Sequence, residues 1–212
     1  LNFSHGDFEE HGKRVSELGL AMQKTGLQAA ILQDLAGPKI RIGNFTTESV
    51  TLKEGQNFTL TTDEIEGDET RVHINYPHLP KEVAPGHIIF LHDGKKKLEV
   101  LEIKGNEVVC KVIVGGDIKG RRGVNLPDSD ISISCLTDKD RKDLEFGIKH
   151  KVDFVALSFV RKPEDIDELR QILKEAGSEA KIIAKIETPQ AVKNIDEVIA
   201  KSDGIMVARG DL

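Results

Sequence analysis

The residue types best suited to chemistry lie at the end of the chain, in KIIAKIETPQAVKNIDEVIAKSDGIMVARGDL, residues 181–212. Two short apolar runs flank a segment with helical spacing, and each run ends in charge. Such runs, alternating with helical patterns, are expected to be parallel strands buried on both faces. Side chains two apart on a strand point the same way, so Lys185 and Glu187 should share a face at one strand end. Asp211 falls at the end of the next. A lysine and two carboxylates at the C-terminal rim of a parallel sheet sit where α/β proteins place their reactive groups.

Glu187 and Asp211 would suit a hard divalent cation, Mg²⁺ or Mn²⁺, which takes oxygen ligands. They would equally suit salt bridges to Lys185 or Arg209, and spacing does not choose between the two. Lys185 interrupts an apolar run, and lysine is rarely buried unpaired. It reads as a cation that neutralises a phosphoryl group in transfer or a developing enolate; the plainer reading is an ion pair with Glu187. The backbone N–H groups of Gly210 and Asp211 form a possible cradle for a carboxylate or phosphate.

The elements that must position these groups follow from pattern. A helix is expected over 8–25, with Asp7 as N-cap and Gly26 as C-cap. A buried strand is expected over 29–32, with Asp34 at its end and Gly37-Pro38 breaking it. Between 40 and 134 the composition changes. SVTLK, NFTLTT, RVHIN, HIIFLH, KLEVLEI and EVVCKVIV alternate with glycine-bearing turns, which implies a small antiparallel barrel or sandwich without helices. Helical and strand patterns then alternate again: a helix over 137–150 opened by a capping threonine, a strand over 153–159, a helix over 163–176, and a single helix over 189–201. The expected architecture is α/β, a partial (β/α)8 barrel with an all-β module inserted after the Asp34 strand. Its domains are 1–39, 40–134 and 135–212, and an insertion at that place in a βα barrel forms a lid.

Composition narrows the class. The 212 residues are 38% hydrophobic and 31% charged, with a formal net charge of −6. That balance fits a globular protein and argues against a nucleic-acid or anionic-membrane binder. No apolar run approaches the ~20 residues of a membrane span. Cys110 and Cys135 form neither a disulfide framework nor a metal spacing, which points to the cytosol. The chain starts without methionine and stops just after a strand end, so it reads as a fragment. Gly120-Arg121-Arg122-Gly123 is glycine-rich and basic, as a phosphate-holding loop would be, but reads first as a solvated hairpin, as Lys95-Lys96-Lys97 reads as a solvated turn. His5, after Asn2 and Ser4, is weak evidence by itself.

LNFSHG, DLAGPKIR, KGRRGVNLP, SFVRKPEDI, AKIE and SDGIMVARGDL, in this order, resemble the pyruvate kinase family along the whole chain. The resemblance implies a (β/α)8 barrel with a β-barrel lid after its third strand. It implies phosphoryl transfer from phosphoenolpyruvate to ADP, giving pyruvate and ATP, in a cytoplasmic, homotetrameric full-length enzyme. Glu187 and Asp211 would bind Mg²⁺ or Mn²⁺, and a second ion would arrive with the nucleotide. Lys185 would stabilise the phosphoryl group in flight, and the Gly210 and Asp211 amides would hold the substrate carboxylate. Arg41 and Arg122 would contact nucleotide phosphates, with Asn2 and His5 nearby.

Three departures from the family pattern stand out. Many members bind K⁺ through positions matching Asn2, Ser4, Asp34 and Leu35, within D-T-K-G-P-E. This chain reads D-L-A-G-P-K, so a leucine replaces the threonine and Lys39 replaces the glutamate. An ammonium there supplies the unit charge and repels a second cation, which implies a K⁺-independent enzyme. His92-Asp93-Gly94 stands where Asp-Asp-Gly is usual. The family's arginine before NFSHG and its threonine on a later strand fall outside the chain, so the fragment alone is expected to be inactive. The alternatives are a Mg²⁺-dependent lyase or aldolase on a related phosphoenolpyruvate/pyruvate barrel, or a non-catalytic homologue.

Overall fold

The structure, a computed structural model, describes residues 1–208. The chain divides into two compact units, one of Leu1–Pro38 with Ser134–Leu212 and the other of Lys39–Ile133.

The first unit begins with α1 (Phe8–Thr25). Asp7 caps it, accepting the Glu10 N–H at 2.9 Å, and Gly26 ends it at φ 72°, donating its N–H to the Met22 carbonyl. A residue with φ > 0 at that place lets the last carbonyls be satisfied. The strand that follows is β1 (Leu32–Asp34), not 29–32. The expectation placed it early because Ala29–Ala30–Ile31–Leu32 is apolar. Its ladder with the neighbouring strand starts only at Leu32, while Ile31 donates its N–H to the Asp153 carboxylate at 2.7 Å.

The second unit holds β2 (Ser49–Leu52), β3 (Asn57–Thr61), β4 (Arg71–His73), α2 (Leu79–Glu82), β5 (Ile88–Leu91), β6 (Lys96–Lys104), β7 (Glu107–Val114), β8 (Gly116–Lys119) and β9 (Val124–Asn125). A six-stranded sheet runs β4-β3-β7-β6-β5-β9, and β2 pairs with β8. Residues 40–43 connect the outer edges of the larger sheet: Val124 donates to the Ile40 carbonyl and Ile42 to that of Arg122, while Gly43 donates to His73 and Asn75 to Arg41. This closes the sheet into a small barrel and satisfies edge groups that would otherwise be exposed. Phe58, Leu60, Val72, Leu98, Val108 and Cys110 fill its core. Three features depart from expectation. The pair β3–β4 is parallel. A short helix, α2, interrupts the strands, with proline in its first turn. The short segments β8 and β9 also pair as strands, with β2 and β5, each placing one apolar residue, Ile118 and Val124, in the core. Lys96 and Lys97 likewise open β6 rather than sit in a turn, and the Lys96 ammonium donates to the Gly115 carbonyl at 2.8 Å.

The first unit resumes with α3 (Asp138–Lys149), β10 (Phe154–Leu157), α4 (Pro163–Glu175), β11 (Lys181–Ile186), α5 (Pro189–Lys193), α6 (Ile195–Lys201) and β12 (Gly204–Val207). Thr137 and Asp140 form a capping box at the start of α3. The single helix expected over 189–201 is two. Asn194 leaves helical geometry at φ −101°, ψ 22°, and its side-chain amide donates to the Arg161 carbonyl at 2.9 Å, an outside partner that replaces helical continuity.

The strands form a parallel sheet in the order β1-β10-β11-β12. The chain's start adds to the free side of β1: Phe3 donates to the Asp34 carbonyl and Asp34 to that of Leu1. Sequential parallel strands joined through helices are a segment of a (β/α)8 barrel. Ile182, Ala184 and Ile186 on β11 are buried with Leu169, Leu173 and Val198 from the helices. The alternate residues, including Lys185, therefore face the opposite side of the sheet. No described helix is long and apolar enough to cross a membrane.

Candidate active site

Lys185 is the centre of the site. It lies one residue before the end of β11, and its ammonium meets three oxygens: Asp34 Oδ1 at 3.1 Å, Glu187 Oε1 at 3.1 Å and Ser158 Oγ at 2.9 Å. These come from the ends of β1 and β10 and from the residue just past β11, so three neighbouring strands deliver one acceptor each. The Ser158 contact is a hydrogen bond and the two carboxylate contacts are ion pairs. Burial acts to lower the Lys185 pKa, but the charges and hydrogen bonds of Glu187 and Asp34 outweigh it and raise the pKa above its ordinary value. Lys185 is therefore a fixed positive charge at neutral pH.

Glu187 is buried, with 4% of its surface accessible. Its second oxygen, Oε2, accepts the Phe159 N–H at 2.8 Å. Phe159 holds φ 56°, left-handed geometry that is unusual for a bulky residue. Gly37, at φ 67°, packs beneath this turn so closely that a Cβ on it would lie 2.9 Å from Phe159 Cδ2 and 3.0 Å from Ser158 Cβ. The Cys135 thiol meets the Phe159 carbonyl at 2.9 Å, and Thr188 Oγ1 donates to the Val160 carbonyl at 3.0 Å. Burial raises the Cys135 pKa far above the ordinary thiol value, so this cysteine is an inert packing group.

The structure thus brings Lys185, Glu187 and Asp34 together. The ion pair with Glu187 expected as the plainer reading of Lys185 is present. Asn2 joins this neighbourhood through its backbone bridge to Asp34, and its side chain accepts the Ser4 N–H at 2.8 Å. The Leu35 side chain is 1% exposed and belongs to the apolar core, so it offers no oxygen where a threonine would offer a hydroxyl. His5 is exposed, and its carbonyl receives Nε2 of the buried His11, whose ring stacks on Phe3 at 4.2 Å. Gly210 and Asp211 lie outside the described residues.

Arg41, Arg122 and Lys39 belong to the β unit. Arg41 bridges to Gly123, next to Arg122, and so both arginines lie at the seam that closes this barrel. His92 donates its N–H to Gly123, and His92 and Asp93 both have left-handed backbones, φ 53° and 54°. Burial, and then the charges of Arg122 and Lys95, lower the His92 pKa. The Lys39 carbonyl accepts from the Asn75 side chain at 3.0 Å.

Sequence reasoning gave no role to Ser158 or Phe159, although both lie within SFVRKPEDI. A serine between an apolar strand and a helix has many uses, and no residue type announces a positive φ at phenylalanine.

A divalent ion fits this donor set. Glu187 is a hard oxygen donor held in place, and Mg²⁺ commonly takes one or two carboxylates, completing its shell with substrate oxygens and water. Among the described residues no group of three or more His, Cys, Asp or Glu gathers as an all-protein cage.

A segment of a β/α barrel, interrupted by a small β-barrel and carrying a carboxylate-clamped lysine on its strand ends, defines the class. Residues 1–212 match the family model described as pyruvate kinase, barrel domain, and the chain belongs to that family. A pyruvate kinase of Thermotoga maritima is 49% identical over the whole chain, and one of Corynebacterium glutamicum 42%. The chain spans 46% and 45% of those relatives, about half their length. The crystal structure of a pyruvate kinase from Cryptosporidium parvum superposes over the whole chain with a TM-score of 0.93 at 39% identity, and the chain covers 45% of it.

Proposed function

We propose that the protein containing this chain is a pyruvate kinase, transferring the phosphoryl group of phosphoenolpyruvate to ADP to give pyruvate and ATP. The observation that carries this reading is the Lys185 ammonium, clamped by Asp34, Glu187 and Ser158 at the strand ends. A fixed, partly desolvated cation stabilises charge on a transferring phosphoryl group better than a solvated one, because the surrounding groups need not reorganise. In this reading Lys185 is the catalytic residue, Glu187 and Asp211 hold Mg²⁺ or Mn²⁺, and the Gly210 and Asp211 amides orient the substrate carboxylate. The bound metal would neutralise phosphate charge and bridge to the substrate.

Residues 40–134 are read as the lid domain and residues 1–39 and 135–212 as the barrel. Arg41 and Arg122 offer cationic, bidentate donors for ADP phosphates, with Asn2 and His5 approaching the nucleotide. Lys39 supplies the monovalent charge that K⁺ supplies elsewhere, with Asn2, Ser4, Asp34 and Leu35 forming the vestige of that region. The whole protein is read as a cytoplasmic homotetramer. The chain alone, at less than half the length of its relatives, is read as inactive.

The test is Lys185→Met in the full-length protein, assayed for pyruvate formation from phosphoenolpyruvate and ADP. A fall in kcat of about a thousandfold or more is expected for loss of a central electrostatic group; an unchanged rate would place the chemistry elsewhere.

A further inference from the structure

The two carboxylates on Lys185 account for its charge but not for its position. Ser158 is 2% exposed, and its hydroxyl donates its single proton to the Leu35 carbonyl at 2.7 Å. A serine hydroxyl has one proton and two acceptor sites. With the proton committed to Leu35, only lone pairs remain for the Lys185 ammonium, which approaches at 2.9 Å. That contact is shorter than either carboxylate contact, both 3.1 Å. The hydroxyl also has no mobile arm: Ser158 follows directly on β10, and Leu35 follows directly on β1. The next residue, Phe159, turns left-handed and gives its N–H to Glu187. One dipeptide therefore sets the lysine through a side chain and the glutamate through the backbone.

We propose that Ser158 is a positioning residue for Lys185: a neutral, rotationally locked acceptor that keeps the ammonium aimed while the carboxylates carry out other contacts. This rests on the reading of Lys185 as the cation that meets the transferring group. The carboxylates are attracted to any cation that enters the site, so their hold on Lys185 changes as ligands bind. The serine is neutral and its hold does not. Ser158→Ala removes one of three acceptors and leaves the charge of the site unchanged. The Phe159 N–H that orders Glu187 belongs to the backbone and stays.

The experiment compares Ser158→Ala, Ser158→Thr and Lys185→Met in the full-length protein, with steady-state kinetics and Mn²⁺ binding by electron paramagnetic resonance. For Ser158→Ala the expected result is a fall in kcat of about 10- to 100-fold, the scale of a misplacement near 1 Å. KM for phosphoenolpyruvate and Mn²⁺ affinity should stay near their native values, and Ser158→Thr should recover most of kcat. Three results would overturn the proposal: an unchanged kcat in Ser158→Ala, a Ser158→Thr variant that folds and binds Mn²⁺ but is as slow as the alanine variant, or a loss of Mn²⁺ binding that parallels the loss of rate. If Lys185→Met is slow and Ser158→Ala is not, only the positioning role fails. If Lys185→Met keeps the native rate, the functional reading fails and takes the positioning role with it.

Discussion

Phe159 donates its backbone N–H to Glu187 Oε2 at 2.8 Å from a left-handed conformation, φ 56°. Backbone strain of this kind persists where surrounding structure enforces it, and it clusters at working sites. Here its product is definite: both oxygens of a buried carboxylate are assigned, one to a backbone donor and one to an ammonium. Glu187→Gln should therefore be costly although it is nearly isosteric. An amide has one acceptor end and one donor end, so its NH₂ must face either Phe159 N–H or Lys185. The expected loss of stability is about 1–3 kcal/mol, read from the thermal midpoint. In the full-length protein Mn²⁺ affinity should fall by at least about tenfold. A variant with native midpoint and native Mn²⁺ binding would show that neither hydrogen bond matters.

Gly37 supports the same turn from below. It holds φ 67°, and its N–H reaches the Asp140 carboxylate at 3.1 Å. Gly37→Ala places a Cβ in left-handed geometry and against Ser158 and Phe159 at once. We expect a loss of about 1–3 kcal/mol, together with a lowered kcat because the displaced turn carries both Ser158 and the Phe159 N–H. A scan of thermal stability and a single kinetic series check both. Full activity with unchanged stability would mean the turn relaxes without moving the site.

The parts of the fold that sequence made legible are those written in local chemistry. Asp7 and Gly26 delimit α1, and Thr137 with Asp140 opens α3, because capping acts over three or four residues. The shared face of Lys185 and Glu187 followed from the two-residue period of a strand. What remained hidden depends on pairing across long separations. Ser158 reaches Lys185 across 27 residues and Phe159 reaches Glu187 across 28, and only the register Leu157↔Ala184 brings them together. The break at Asn194 is invisible for the same reason: its partner is the Arg161 carbonyl, 33 residues earlier. The seam of the β unit is made from residues 40–43, whose hydrogen bonds run to segments thirty or more residues away on either side of the barrel wall.

Tyr76 gives the β unit an optical reporter, since the chain has one tyrosine and no tryptophan. Its hydroxyl donates to Glu82 Oε2 at 2.5 Å, and Glu82 Oε1 accepts from Ser132 Oγ at 2.5 Å. Burial, then the Glu82 hydrogen bond, raise the Tyr76 pKa above 10.0. Burial would raise the Glu82 pKa, but the hydrogen bonds from Ser132 and Tyr76 outweigh it and lower it below 4.5. The signs then differ. A raised pKa means the folded state holds the Tyr76 proton more tightly, so that contribution is whole below pH 10.0 and is lost as pH rises through the folded value. A lowered pKa means the Glu82 contribution is whole above pH 4.5 and is lost as pH falls through its folded value. Titrating tyrosinate absorbance in the 212-residue chain should give a midpoint above 10.0, and Glu82→Gln should move it down but leave it above that value, since burial is the larger cause. A native midpoint at or below the free value would contradict the buried contact.

We read Lys39 as the internal replacement for the monovalent cation, a role that the K⁺ requirement of the full-length protein tests. The Leu35 side chain is sealed in the core at 1% exposure and offers no oxygen ligand, so a K⁺ ion would lose a donor that a threonine supplies. In the proposed reading Lys39, five residues after Asp34 in the sequence, would carry the unit charge that such an ion would bring. Two cations competing for one electronegative region repel each other, and at an effective dielectric constant near 20 two unit charges about 4 Å apart interact by roughly 4 kcal/mol. The full-length protein should therefore turn over in K⁺-free buffer and gain little from added KCl beyond what choline chloride gives at equal ionic strength. Lys39→Glu replaces a positive charge with a negative one and should make the rate fall without K⁺. Added K⁺ should then restore part of it, although Leu35 still withholds the hydroxyl ligand, and Leu35→Thr in the same background should increase that recovery. Strong stimulation of the native protein by K⁺, absent with choline, would remove Lys39 from this role.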